Sequence, residues 1–206
     1  MTRTRRVSLF LLLVALVLMI ACLPALAEDE VSSSLAPWSG TWNSAESFLT
    51  DESVQQAFAA AAETMDAPAE TVQAMYTAMM SADGTGSFVI TDKEIAAYSG
   101  QNGEGDLLFR ANFSYVGKET VQGEFQGMEF TMDWFKFALE GEGPEAYTYL
   151  VLAEVEREEG GMIHFHYRFG KDSFEALTGM TDAWYPTMCD SSVTAEMLLR
   201  EFTSGE

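Results

Sequence analysis

The two histidines of the chain lie two residues apart in the stretch MIHFHYRFG, residues 162–170. Apolar and polar side chains alternate through this stretch, which predicts a β-strand. His164, His166 and Arg168 would share one face of the strand, and the other face would carry Ile163, Phe165, Tyr167 and Phe169. Strand geometry places the two imidazoles about 6.5–7 Å apart along the strand. Because neutral imidazole binds zinc, copper and nickel, the pair predicts half of a transition-metal site; a purely structural role on a half-buried strand is the alternative.

The N-terminus has the features of a targeting segment. Three arginines among the first six residues precede an uncharged apolar run over residues 7–18, and Ala-Leu-Ala follows at 25–27. This pattern predicts a signal peptide over residues 1–27 that is removed before Glu28. The alternative takes residues 19–22, MIAC, as a lipobox whose Cys22 is acylated, which would tether the protein to a membrane. Both interpretations predict an extracytoplasmic protein that is secreted, periplasmic or held at the cell surface as a lipoprotein.

The chain is strongly acidic, with 11 basic and 32 acidic residues. Removal of residues 1–27 takes away three arginines, leaving eight basic against 32 acidic residues and a net charge of −24. Such a charge excludes a nucleic-acid partner, because phosphates would be repelled. The remaining length suits one domain, predicted over residues 35–206 after a mobile acidic segment at 28–34. Cys189 is then the sole cysteine, so no internal disulfide can form and burial is its expected state.

The hydrophobic pattern predicts helices first and strands afterwards. An entry strand at 35–43 with Trp38 and Trp42 precedes a helix over 44–65 and a second helix after Pro68. From Gly86 the period changes to two, and strands are predicted at 87–91, 94–98, 107–116, 128–139, 146–155 and 162–169. Short glycine-rich or acidic turns between them indicate an antiparallel meander, and closure as a barrel would remove its exposed edges. Two short helices, from residue 172 and over 193–202, complete a mainly β fold with peripheral helices.

Motifs of common enzyme classes do not occur in the sequence. It contains no glycine-rich phosphate loop and no Gly-x-Ser-x-Gly nucleophile elbow, and neither histidine has an evident serine or cysteine partner. Acidic pairs such as Glu158-Glu159 fall in predicted turns, where charge is usually solvated. The expected function is therefore binding rather than catalysis.

Three sets of motifs, in this order along the chain, resemble the ZinT (YodA) family of bacterial zinc- and cadmium-binding proteins. The first is LAPWSGTWNSAESFLTD, a tryptophan-rich entry followed by a helix. The second comprises SFVITDKEIAAY and FRANFSYVGKET, which are similar to the early strands. The most specific set is HFHYRFGKDSFEAL, DAWYPT and SSVTAEML. The resemblance extends over residues 35–202, and the family also occurs as the C-terminal domain of some zinc ABC-transporter binding lipoproteins.

The resemblance implies a calycin, or lipocalin-like, antiparallel barrel with helices packed outside it. It also implies a metal ion, zinc or another divalent ion such as cadmium, bound by histidines at the barrel mouth. His164 and His166 match the last two ligands of the family. The implied function is to buffer zinc or to deliver it to the substrate-binding protein of a zinc ABC importer.

The third ligand is the point at which this chain departs from the family. Family members usually carry a histidine nine residues before the first of the pair, where this chain has Val155 between Glu154 and Glu156. If the hairpin loop holds three residues, Glu156 lies opposite His164 and Glu154 opposite His166, which would give a His₂Glu site. If it holds two, Val155 faces His164 and the glutamates point away. The predicted ligands are therefore His164 and His166 with Glu156, or less favourably Glu154, and water is the alternative.

Two further functions remain open from the sequence. A lipocalin-like carrier would hold a small apolar ligand inside the barrel, with the histidines as polar lining. A descendant that keeps the fold and has lost the metal would act through protein contacts instead.

Overall fold

The computed structural model describes residues 33–125, 128–157, 162–179 and 184–198, although not the side chains of residues 64, 65 and 123–130. All of the described residues belong to one unit, Ser32–Glu206. The expected signal peptide, Cys22 and residues 28–32 lie outside the described part of the chain.

The described strands form a closed antiparallel barrel in which each strand pairs with the next and the last pairs with the first. This architecture confirms the predicted mainly β fold, an antiparallel meander closed as a calycin-like barrel. The eight strands are β1 Gly40–Ser44, β2 Ser87–Ile90, β3 Glu94–Tyr98, β4 Leu107–Phe125, β5 Met128–Glu140, β6 Tyr149–Leu152, β7 His164–Gly170 and β8 Thr187–Asp190.

The barrel interior is filled by side chains from every strand. Trp38, which precedes β1, and Trp42 are buried there. The Trp38 indole donates to the carbonyl of Ala153 at 2.8 Å, and its ring meets Phe135 edge-on at 5.2 Å. Aromatic rings in edge-to-face contact fill space and add to the free energy of burial. The other members of this cluster include Phe88, Phe113, Phe137, Leu150, Leu152, Phe165, Tyr167 and Met188.

Helices cover part of the outer wall. The helix predicted over 44–65 is divided into a 3₁₀ turn, Ala45–Phe48, and a helix α1, Glu52–Met65. The division falls at Asp51, whose carboxylate accepts from the Ser53 amide at 2.9 Å and so caps the start of α1. Helix α2, Ala69–Met80, follows, and both pack with Met162 and Cys189 in an outer apolar cluster.

The C-terminal part differs from the prediction in one element. A short helix α3, Phe174–Thr178, and helical residues 195–198 were expected, but strand β8 between them was not. Pro186 marks a break in the pattern, and the four residues that follow are too few to show a period. Barrel closure nevertheless requires this strand, which pairs with β7 on one side and with β1 on the other. Within the described residues, no helix has both the length and the apolar character to cross a membrane.

Candidate metal centre

Strand β7 presents its two histidines on the outer wall of the barrel. Phe165 and Tyr167 belong to the interior cluster, so the alternation along the strand directs His164 and His166 outward. The ring centroids of the two histidines are 5.2 Å apart. The pair lies at the end of the barrel where β7 begins, on the outer face rather than inside the mouth.

A one-residue irregularity between β6 and β7 determines what faces His164. In the regular ladder Leu152 pairs with Tyr167, whereas further along Glu156 pairs with His164. Residues 153–156, four in number, therefore lie opposite residues 164–166, which are three. One extra residue on one strand is the signature of a β-bulge. Hydrogen bonds fix both ends, from Ala153 N to His166 O at 2.8 Å and from Glu156 N to His164 O at 2.8 Å.

The bulge has a packing reason. Ala153 packs in an outer apolar cluster with Trp134 and Leu177, whereas Val155 packs against the barrel interior. In a regular strand two residues separated by one position share a face, so one extra residue is needed for these two to face opposite ways. The next residue, Glu156, is then directed to the histidine face. The pairs of the main ladder, such as Leu152 with Tyr167, have the register expected for a hairpin loop of two residues. The bulge shifts that register by one residue, so that Glu156 pairs with His164 as expected for a loop of three residues.

Glu156, His164 and His166 form the group of potential metal ligands in the described part of the chain. One ligand atom from each residue lies within 4.8 Å of the other two, and His164 Nε2 is 3.8 Å from Glu156 Oε2. In a tetrahedral zinc site with bonds of about 2.0–2.2 Å, neighbouring ligand atoms lie about 3.3–3.6 Å apart. Small side-chain rotations would close that difference, and Glu156, which is exposed, has room to rotate.

Hydrogen bonds orient both imidazoles. His164 Nδ1 lies 2.9 Å from the carbonyl oxygen of Met162, which can only accept, so Nδ1 carries the proton. His166 Nδ1 lies 2.9 Å from the hydroxyl of Thr187. That hydroxyl donates its hydrogen to the carbonyl of Tyr185 at 3.0 Å, so it accepts from His166 Nδ1. In the neutral state both rings therefore have an unprotonated Nε2, the lone pair that a metal ion needs.

The electrostatic environment keeps His166 neutral. Burial, together with smaller contributions from the nearby His164 and Arg168, lowers the pKa of His166 to about 3. As a whole residue His166 is partly exposed, whereas His164 is 9 % exposed. Two neutral imidazoles and one carboxylate suit a divalent zinc ion, and three protein ligands leave a fourth tetrahedral position for water. The residues present therefore fit a zinc ion.

The remaining predicted residue, Glu154, is exposed and is not a member of this group. Sequence reasoning missed Thr187 and Tyr185, which orient His166. The available signal was the alternation Thr187, Met188, Cys189, in which Met188 faces the interior and Thr187 faces His166.

A closed eight-stranded antiparallel barrel with a filled interior and a His₂Glu group on its wall defines a lipocalin-like protein with a candidate metal centre. The family model described as ZinT (YodA) periplasmic lipocalin-like zinc-recruitment matches residues 25–204. The chain belongs to this family. The family is one of extracytoplasmic binding proteins rather than of enzymes.

Two solved structures share the fold. Zn(II)-bound AdcA from Streptococcus pneumoniae is 21% identical with a TM-score of 0.61, over 84% of this chain and 36% of AdcA. The Zn(II)-bound ZinT-like domain of the same AdcA is 22% identical with a TM-score of 0.59, over 82% of this chain and 88% of the domain. This chain thus spans about a third of the length of AdcA. No curated protein matches its sequence.

Proposed function

We propose that this protein binds one zinc ion outside the cytoplasm through His164 Nε2, His166 Nε2 and a carboxylate oxygen of Glu156. The observation that carries the proposal is the orientation of the two rings. Both Nδ1 atoms are engaged, by Met162 O and by Thr187 Oγ1, so both Nε2 lone pairs are free. A pair of histidines that served only to pack the wall would not need both ring nitrogens arranged in this way.

Charge and accessibility support the same function. Glu156 neutralises one of the two zinc charges, which matters beside a buried imidazole because unpaired charge is costly there. Its exposure, together with the open fourth position, allows the ion to enter and leave. Such a site suits buffering of zinc or its delivery to the substrate-binding protein of a zinc ABC importer. Cadmium, which prefers similar ligands, is a second ion that the site would accept.

The family description supports an extracytoplasmic location, and the sequence supports a free protein that begins at Glu28. A membrane tether would require acylation of Cys22 in place of cleavage after Ala27. In either form the domain works on the outer side of the membrane.

The two other functions have less support. A carrier of small apolar ligands would need room inside the barrel, where Trp38, Phe88 and Phe137 are packed. Those side chains would have to move, and the histidines, which face outward, could not line that space. A descendant without a metal would have no use for two oriented imidazoles beside a carboxylate.

The test is a zinc competition titration of residues 28–206 against a chromophoric chelator. We expect one zinc per chain in the wild type. The His164→Ala/His166→Ala variant should bind at least about 100-fold more weakly, since it loses two of three protein ligands. An excess of Mg²⁺ in every sample removes diffuse binding by the acidic surface.

The control is the double substitution of two exposed acidic residues in the β3–β4 connection, Glu104→Gln/Asp106→Gln. It changes the net charge by two and leaves the ligands in place. Equal zinc affinity in the wild type and the double histidine variant would contradict the proposed function. Weakening by the control variant to the same extent would show diffuse electrostatic binding instead.

A further inference from the structure

Arg168 lies on the histidine face of β7, two residues from His166, and is 1 % exposed. A guanidinium is always charged, and burying one is costly unless its donors and its faces are engaged. Its position is also unfavourable for a cation site, because its charge repels a metal ion nearby. The presence of a buried arginine at this position therefore calls for a reason other than its charge.

The contacts of Arg168 connect three parts of the outer wall. Its Nη1 donates to the carbonyl of Leu177 in α3 at 2.8 Å, and its Nε donates to the carbonyl of Trp184 at 3.0 Å. Its guanidinium carbon lies 5.4 Å from the ring centroid of Trp134 in β5 and 4.4 Å from that of Tyr185. Arg168 thus fixes the backbone of Trp184 and the ring of Tyr185 against the barrel.

The segment that Arg168 fixes is the segment that orients His166. The carbonyl of Tyr185 accepts from the Thr187 hydroxyl at 3.0 Å, and that hydroxyl accepts from His166 Nδ1 at 2.9 Å. The Tyr185 ring also meets the His166 ring edge-on, with centroids 5.9 Å apart. A shift of this segment would release Thr187, and His166 could then protonate Nε2 in place of Nδ1.

We propose that Arg168 is a positioning residue of the metal centre, which holds the segment Trp184–Thr187 in place so that Thr187 keeps His166 Nε2 available to the ion. This inference rests on the proposed zinc function. Lysine cannot replace arginine here, because a single ammonium cannot span the two carbonyls and stack between two rings.

The first readout concerns the protein without metal. ¹⁵N NMR of the imidazoles should show His166 of the wild type protonated at Nδ1 and unprotonated at Nε2. The Arg168→Lys variant should give a mixture of tautomers. The matched control is Arg110→Lys, at an exposed arginine that is paired with Glu94 at 3.0 Å; it should retain the wild-type tautomer.

The second readout is zinc affinity by chelator competition, together with the visible spectrum of the Co²⁺ form. We expect Arg168→Lys to weaken zinc binding by about 10- to 100-fold, the range for loss of an outer contact, and to alter the tetrahedral Co²⁺ bands. Thr187→Val should do the same, and Thr187→Ser, which keeps the hydroxyl, should restore both readouts.

A folded Arg168→Lys variant with the wild-type tautomer and a zinc affinity within about twofold of wild type would overturn the proposal. If that variant does not fold, Thr187→Val decides, since the proposed route passes through this hydroxyl; an unchanged tautomer and affinity there would equally overturn it. Absence of zinc binding by the wild type would contradict the proposed function, and the metal-free tautomer would still test the positioning role.

Discussion

At the scale of residues, the candidate site depends on which imidazole nitrogen carries the proton. Met162 and Thr187 determine this for His164 and His166, and neither is a ligand. Outer contacts of this kind commonly fix the tautomer and the ring orientation of metal-binding histidines. The candidate for the third ligand is instead the side chain that the bulge directs to the histidine face, Glu156.

Substitution of Glu156 tests this assignment directly. We expect Glu156→Gln to weaken zinc binding by at least about tenfold, because the amide oxygen carries no charge and binds zinc poorly. Glu154→Gln is the matched control, with the same chemical change two residues away at an exposed position outside the group. The measurement is the dissociation constant by chelator competition for both variants. Greater weakening by Glu154→Gln than by Glu156→Gln would reverse the assignment.

Sequence alone predicted the shared face of the two candidate ligands in β7 but not their surroundings. The alternation in MIHFHYRFG is unambiguous because one face is aromatic and the other is polar, so the shared face of His164 and His166 followed from residue types. The partner of His164 did not follow, because apolar residues occupy both faces of β6. A hairpin loop of two residues and one of three were both compatible with that pattern. In the structure the ladder has the register of the first, and the bulge gives the Glu156–His164 pair of the second.

At the scale of elements, β8 joins the site to the helical layer. Its outward residues are Thr187, which orients His166, and Cys189, which packs with Met162 between the wall and the helices. Its neighbour β1 is distant in sequence, and residues 171–186 separate β8 from β7, so no local signal identifies four residues as the closing strand. The requirement that a meander barrel must close was the signal that could have found it.

The burial of Cys189 gives a prediction for this element. Burial, with a smaller contribution from the charge of Asp190, raises the pKa of its thiol to about 12. The thiolate is the reactive form, so at about pH 8 the native protein should not react with a disulfide exchange reagent, and full reaction should follow unfolding in guanidinium. Residues 28–206, which contain this one cysteine, serve for the assay. Complete reaction of the native protein within minutes would contradict the packing of β8.

At the scale of the whole molecule, the barrel serves as a scaffold rather than as a container. Its interior is filled with aromatic and aliphatic side chains, and the candidate chemistry lies on the wall. Rigid strands suit such a site, because the positions of the ligands then depend on the barrel rather than on loops. The fold class was predictable because alternation and short turns recur along the chain, whereas the placement of the site on the outer face required the structure.

The mature form of the molecule is also testable. We expect mass spectrometry of the protein isolated from its native host to show an N-terminus at Glu28, since the Ala-Leu-Ala motif provides small residues at a cleavage site. A diacylated Cys22 at the N-terminus would contradict this and would identify a membrane-tethered lipoprotein. Substitution of Cys22 by Ala would serve as the control, because it abolishes acylation and leaves the Ala-Leu-Ala motif unchanged.

The most direct test of the central claim is a crystal structure of residues 28–206 loaded with zinc, with anomalous diffraction measured at the zinc edge. The anomalous peak should lie about 2.0–2.1 Å from Nε2 of both His164 and His166 and about 2.0–2.2 Å from a carboxylate oxygen of Glu156. Nδ1 of His164 should still donate to Met162, and Nδ1 of His166 to Thr187. A peak bound through Nδ1, or one held by the two histidines with Glu156 turned away, would contradict the account.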